Sequence, residues 1–123
     1  MDKTIKYIRE QTKLEPEIGI VLGSGLGDFA DSIEDKVEIA YKDIPGFPVS
    51  TVKGHDGKLI FGKINSKNVC LMKGRIHFYE GYDMSDVIYP IRVLADLGVK
   101  TLILTNAAGG VNTDFCLLYT SDA

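Results

Sequence analysis

No apolar run anywhere in the 123 residues approaches the roughly 20 that a membrane-spanning helix needs. The charged, weakly periodic N-terminal segment lacks the apolar core of a signal peptide, so an intracellular, cytoplasmic chain is expected. Cysteine is scarce. Cys70 and Cys116 are the two present, which gives no support to a disulfide framework and fits a reduced compartment. An excess of positive charge is also missing: 14 Lys and Arg stand against 17 Asp and Glu, for a formal net charge of −3. With the basic residues scattered among acids, a nucleic-acid or anionic-membrane surface is disfavoured. A basic site has to be local. What remains is the composition of an ordinary globular protein, 45% hydrophobic and 25% charged, with room for one domain at most and a modest core.

The stretch Lys73-Gly74-Arg75-Ile76-His77-Phe78-Tyr79-Glu80-Gly81-Tyr82 packs a cation, an imidazole, a phenol and a carboxylate between glycines. Arg75 and His77 are two apart, so an extended backbone points them to one side, and a guanidinium beside an imidazole suits an oxyanion. Tyr79 continues that side and can lay its ring on an apolar or sugar face. Glu80 is the natural counter-charge, either fixing the tautomer of His77 or neutralising Arg75. The plain alternative is a solvated loop whose charges pair among themselves.

In chain order, Asp2 to Lys13 reads as a surface helix with Ile5 and Ile8 on its apolar stripe, ended by Pro16. Ile18-Gly19-Ile20-Val21-Leu22 is a continuous apolar run, as expected of a strand covered on both faces. Gly23-Ser24-Gly25-Leu26-Gly27 follows, before a helical turn expected at Asp28 to Ile33. Glycines between strand and helix let backbone N–H groups approach an anion, and the Ser24 hydroxyl adds a donor. Asp28 stands where a Rossmann fingerprint needs its third glycine, and a P-loop's Gly-Lys-Ser/Thr is absent, so a dinucleotide is disfavoured. A tight turn without a ligand remains open here.

Val37 to Ala40 reads as a further strand, and Ile44 to Pro48 as loop. Gly54-His55-Asp56-Gly57 is a turn whose histidine gains meaning only from its neighbours. Lys58 to Ile64 and Val69 to Lys73 form a hairpin around a four-residue turn, Asn65-Ser66-Lys67-Asn68. A helix is expected from Ser85 to Leu97, with Val87, Ile88, Ile91, Leu94 and Ala95 on its apolar stripe, Pro90 in its second turn and Gly98 as its stop. Lys100 to Thr105 is the clearest second parallel strand, ending in Asn106-Ala107-Ala108-Gly109-Gly110. Ligands of open α/β sheets collect at the carboxyl ends of parallel strands, so both small-residue loops and the Arg75 segment can line one crevice.

Taken in order, Gly23-Ser24-Gly25-Leu26-Gly27, Gly54-His55, Gly74-Arg75-Ile76-His77-Phe78-Tyr79-Glu80-Gly81 and Thr105-Asn106-Ala107-Ala108-Gly109-Gly110 resemble the trimeric class of purine nucleoside phosphorylases. The resemblance runs from the first strand to about Phe115. It implies an α/β fold, the N-terminal portion of a phosphorylase/hydrolase-like, mixed and largely parallel twisted sheet flanked by helices. Residues 1–115 would be the N-terminal part of one phosphorylase domain, and 116–123 a non-matching tail produced by truncation.

The resemblance also implies that Ser24, His55, the Arg75-Ile76-His77 run and the Ala107 backbone hold inorganic phosphate. Tyr79 would lie against the ribose, Glu80 would orient His77, and Asn106 would shape the loop beside the phosphate. The implied activity is that of a pentosyltransferase of purine salvage: purine nucleoside and phosphate give free base and ribose 1-phosphate. Inorganic phosphate is then a co-substrate, with no metal and no organic cofactor. The expected partners are a purine nucleoside and phosphate, and in the full-length enzyme two further copies forming a homotrimer, without nucleic acid or membrane.

The residues that clamp the purine in that family have no counterpart here, so the chain is expected to carry the phosphate and ribose half-site and to be inactive alone. Methylthioadenosine phosphorylase is the nearest enzyme alternative, although its loop ordinarily lacks the Tyr79-Glu80-Gly81 run. A non-catalytic phosphate-binding fragment is the alternative outside enzymes.

Overall fold

The computed structural model describes residues 2–22, 27–49, 57–74 and 84–105. Helix α1 (Asp2–Gln11) precedes strand β1 (Ile18–Leu22), and a short 3-10 segment (Gly27–Ser32) leads into β2 (Glu34–Ala40). Then come β3 (Lys58–Ile64), β4 (Lys67–Lys73), helix α2 (Met84–Asp96) and β5 (Thr101–Leu104). The strands form one sheet in the order β2-β3-β4-β1-β5. β4 and β5 both run parallel to β1, whereas β2 and β4 run antiparallel to β3. The expected α/β class with a mixed sheet is therefore what forms.

Alternation along the strands builds a core on each face. Val21, Leu59, Phe61, Cys70 and Met72 point to one side, where Ile8 of α1, Val93 and Leu94 of α2 and Leu97 just after it cover them. Ile20, Leu22, Ile60, Val69 and Leu71 point to the other, against Ala30 of the 3-10 segment and Ile33 just after it. Burial on both faces is why β1 reads as an unbroken apolar run. Gly19 lets α2 settle close, because a Cβ there would already lie 3.2 Å from both Leu94 and Val99.

Helix α2 stops as glycine chemistry dictates. Gly98 has φ +105, its N–H bonds the Ala95 carbonyl at 3.1 Å, and the Val99 N–H reaches back to Leu94 at 3.2 Å. That pair of bonds is a Schellman closure. Arg9 adds a cation there, donating to the carbonyls of Leu97 and Leu14, both at 3.1 Å.

Four expectations need correction. The hairpin turn is two residues, Asn65 and Ser66, with φ 50 and 67. Two positive φ values make a type I′ turn, whose twist matches the strands and lets pairing run on to Ile64↔Lys67. The buried face of α2 is Pro90, Val93, Leu94 and Leu97, whereas Ile88 and Ala95 are exposed, so the stripe sits part of a turn from the expected one. β2 starts at Glu34 because a bulge at Asp35, φ 53, carries three charged residues along an exposed edge. Helix α1 ends at Gln11 rather than Lys13. Among the described residues β5 lies at the edge of the sheet, with Ile103 and Leu104 close to half exposed.

Candidate active site

Every residue expected at the site, namely Ser24, His55, Arg75, Ile76, His77, Tyr79 and Ala107 against substrate and Glu80 and Asn106 beside them, lies outside the described residues. The roots of their segments are described, and register locates them. Leu22 at the end of β1 pairs with Lys73 at the end of β4. Val21 pairs with Leu104 at the end of β5. Lys58, where β3 begins, also pairs with Lys73. The carboxyl ends of β4, β1 and β5 and the start of β3 thus share one rim.

Ser24 follows Leu22 by two residues, Arg75 follows Lys73 by two, Asn106 follows Leu104 by two, and His55 precedes Lys58 by three. Adjacent strands lie about 4.8 Å apart, so the four roots span roughly 15 Å. Two or three residues of chain reach about 7–10 Å. A single oxyanion over the middle of this rim is within reach of all four segments. The parallel pairing of β4 with β1 is the decisive element, because it brings the Arg75 root beside the Ser24 root.

Three of the roots are tied down by two residues that sequence reasoning passed over, Tyr41 and Thr105. The Tyr41 hydroxyl donates to the Gly74 carbonyl at 2.6 Å, and the Tyr41 N–H donates to Gly57 at 3.0 Å. Tyr41 itself is buried, with its ring 4.9 Å from that of Phe47. At the third root, the Thr105 hydroxyl donates to the Val21 carbonyl at 2.7 Å. A buried tyrosine needs a partner for its hydroxyl, but nothing in the local sequence around Tyr41 announces that it is buried.

Charge at the rim is mixed. Lys58 and Lys73 face each other across β3 and β4, and Glu38 from β2 accepts from Lys58 at 3.0 Å. That hydrogen bond above all holds the Glu38 carboxyl below its usual range against the opposing effect of burial, and the fields of Lys58, Lys36 and Lys73 add to the lowering. Because the pair is solvent-exposed, it contributes little stability. Its consequence is to neutralise part of the rim's positive charge.

The model of the phosphorylase superfamily matches residues 17–118. The chain belongs to the phosphorylase superfamily. It is 52% identical over 115 residues to purine nucleoside phosphorylase 1 of Bacillus subtilis, an alignment covering 94% of this chain and 42% of that protein. Among solved structures, a purine nucleoside phosphorylase in complex with ribose-1-phosphate superposes with a TM-score of 0.86 at 50% identity, over 94% of this chain and 43% of that one. The Schistosoma mansoni purine nucleoside phosphorylase in complex with inosine gives 0.84 at 47% identity, over 94% and 40%. The resemblance read from the glycine loops and the Arg75 segment is thus a family relationship. The chain spans about two fifths of the length of these phosphorylase-superfamily relatives.

Proposed function

We propose that this chain carries the phosphate- and ribose-binding part of a purine nucleoside phosphorylase. One observation carries the reading: the roots of the Ser24, His55, Arg75 and Asn106 segments leave the same rim, set by the pairings Leu22↔Lys73, Lys58↔Lys73 and Val21↔Leu104. The relatives with ribose-1-phosphate and inosine bound supply the substrate class.

In this reading Ser24, His55, the Arg75-Ile76-His77 run and the Ala107 amide hold a phosphate dianion. One phosphate oxygen attacks the anomeric carbon of the ribose as the bond to the purine nitrogen breaks. The electrons of that bond leave with the base, which is released after protonation, and ribose 1-phosphate remains. The transition state is oxocarbenium-like, so a positioned dianion both stabilises the sugar cation and acts as nucleophile. Tyr79 packs on the ribose, Glu80 orients His77, and Asn106 shapes the loop. No metal or organic cofactor takes part. The complete enzyme is a cytoplasmic homotrimer. Among the described residues no helix is long and apolar enough to cross a membrane.

Calorimetric titration of the 123-residue chain with inorganic phosphate tests the reading. Binding heat is expected from the unmodified chain and none from Arg75→Ala. Equal heats from the two would sink it.

A further inference from the structure

Tyr41 stands at the junction of two substrate segments. Its hydroxyl donates to Gly74, the residue before Arg75, whose φ of +104 places the chain in a conformation suited to glycine. Its N–H donates to Gly57, two residues after His55. Its ring fills the space over Gly57 so closely that a Cβ there would come within 2.2 Å of the ring. Phe47 braces the ring from behind, and the Tyr89 ring packs edge-on against Phe47 at 6.2 Å.

We propose that Tyr41 is a positioning residue for the anion site, fixing the offset between the roots of the Arg75 and His55 segments. The inference rests on the phosphate reading given above. Two groups that share one anion must be held at a set separation before it arrives, or binding is weakened by the cost of ordering them. A single rigid side chain hydrogen-bonded to one root and packed on the other supplies that constraint. Burial pushes the phenol up from its ordinary range, chiefly by desolvation, so the hydroxyl stays a neutral donor to Gly74 throughout the physiological range.

Tyr41→Phe removes the hydroxyl and keeps the ring, so the core stays filled. Calorimetric titration with inorganic phosphate, run on the whole chain and on Tyr41→Phe well below both melting temperatures, gives the primary readout. The variant is expected to bind phosphate about two- to tenfold more weakly, the equivalent of one lost hydrogen bond. Peptide-resolved hydrogen exchange is expected to quicken over residues 74–82 while the hairpin at 62–69 stays unchanged.

A tyrosine that merely filled the core would lower the melting temperature and leave both readouts as they were. Equal phosphate affinity in the two chains overturns the inference. Absence of binding heat from the unmodified chain removes the anion site and the inference together, an outcome distinct from equal affinities.

Discussion

The Val21 carbonyl accepts two hydrogen bonds from Thr105, one from its N–H at 3.1 Å and one from its hydroxyl at 2.7 Å. The link fixes the residue that follows β5 and precedes Asn106 in the chain. Thr105→Val keeps the shape and removes only the hydroxyl. Because the N–H still serves the carbonyl, no buried acceptor is stranded, and the loss should fall near 0.5–1 kcal/mol. Urea unfolding checks this, and a loss above about 2 kcal/mol would show that the hydroxyl does more than double an existing bond.

Arg9 reaches the Leu14 carbonyl with one guanidinium nitrogen and the Leu97 carbonyl with the other, joining α1, the approach to β1 and the end of α2. A lysine keeps the charge but has no planar fork with which to hold both acceptors. Arg9→Lys and Arg9→Ala are therefore expected to cost similar amounts, about 1–2 kcal/mol each. If lysine restored most of the stability in urea titrations, charge at the helix terminus would be the cause and not the geometry of the fork.

Gly62 in β3 faces Ile33, and a Cβ built there would lie 2.1 Å from Ile33 Cγ2 and 2.7 Å from the Glu34 carbonyl oxygen. Neither atom is the free end of a flexible chain, so Gly62→Ala forces the β2 bulge outward at a cost of about 3 kcal/mol. The site is toward the hairpin end of β3, away from the rim. The folded fraction of this variant should bind phosphate normally while its thermal midpoint drops by several degrees. Weakened affinity in the fully folded protein would contradict that separation.

The parts of this fold that were legible from sequence are those whose cause is local. β1 matches its expected bounds because an apolar run before a glycine loop has few alternatives, and Gly98 ends α2 through its own backbone freedom. The I′ turn was overlooked because Asn65-Ser66-Lys67-Asn68 is polar throughout, and only pairing of Lys67 with Ile64 excludes Lys67 from the turn. The face of α2 was misplaced because Ile88 and Ala95 are apolar and yet exposed, so hydropathy alone could not orient the helix. The residues expected at the site are recognisable by type, and the convergence of their segments is expected from the carboxyl-end rule for parallel strands, but the register that sets β4 beside β1 pairs residues some fifty positions apart. Tyr41 was invisible for the same reason: its partners at 57 and 74 are distant in sequence.

Cys70 is fully buried in β4, and desolvation pushes its thiol far above the ordinary range. A group whose pKa is raised by folding contributes fully below its unfolded value, and that contribution is lost as pH climbs toward the folded one. The unfolded chain begins to ionise its thiol near pH 8.5, while the folded chain does not, so stability should fall by about 1.4 kcal/mol per pH unit above that point. By pH 10 the loss reaches about 2 kcal/mol. Tyr41, raised mainly by burial and then by Cys70 beside it, adds to the slope only above about pH 10. Urea unfolding between pH 7.5 and 10 in a Cys116→Ser background isolates the effect of Cys70. Adding Cys70→Ala should cost about 1 kcal/mol at pH 7.5 through the small cavity it leaves, yet flatten the alkaline slope. If the slope survives the substitution, the loss belongs to other groups and Cys70 is not the origin of the alkaline instability.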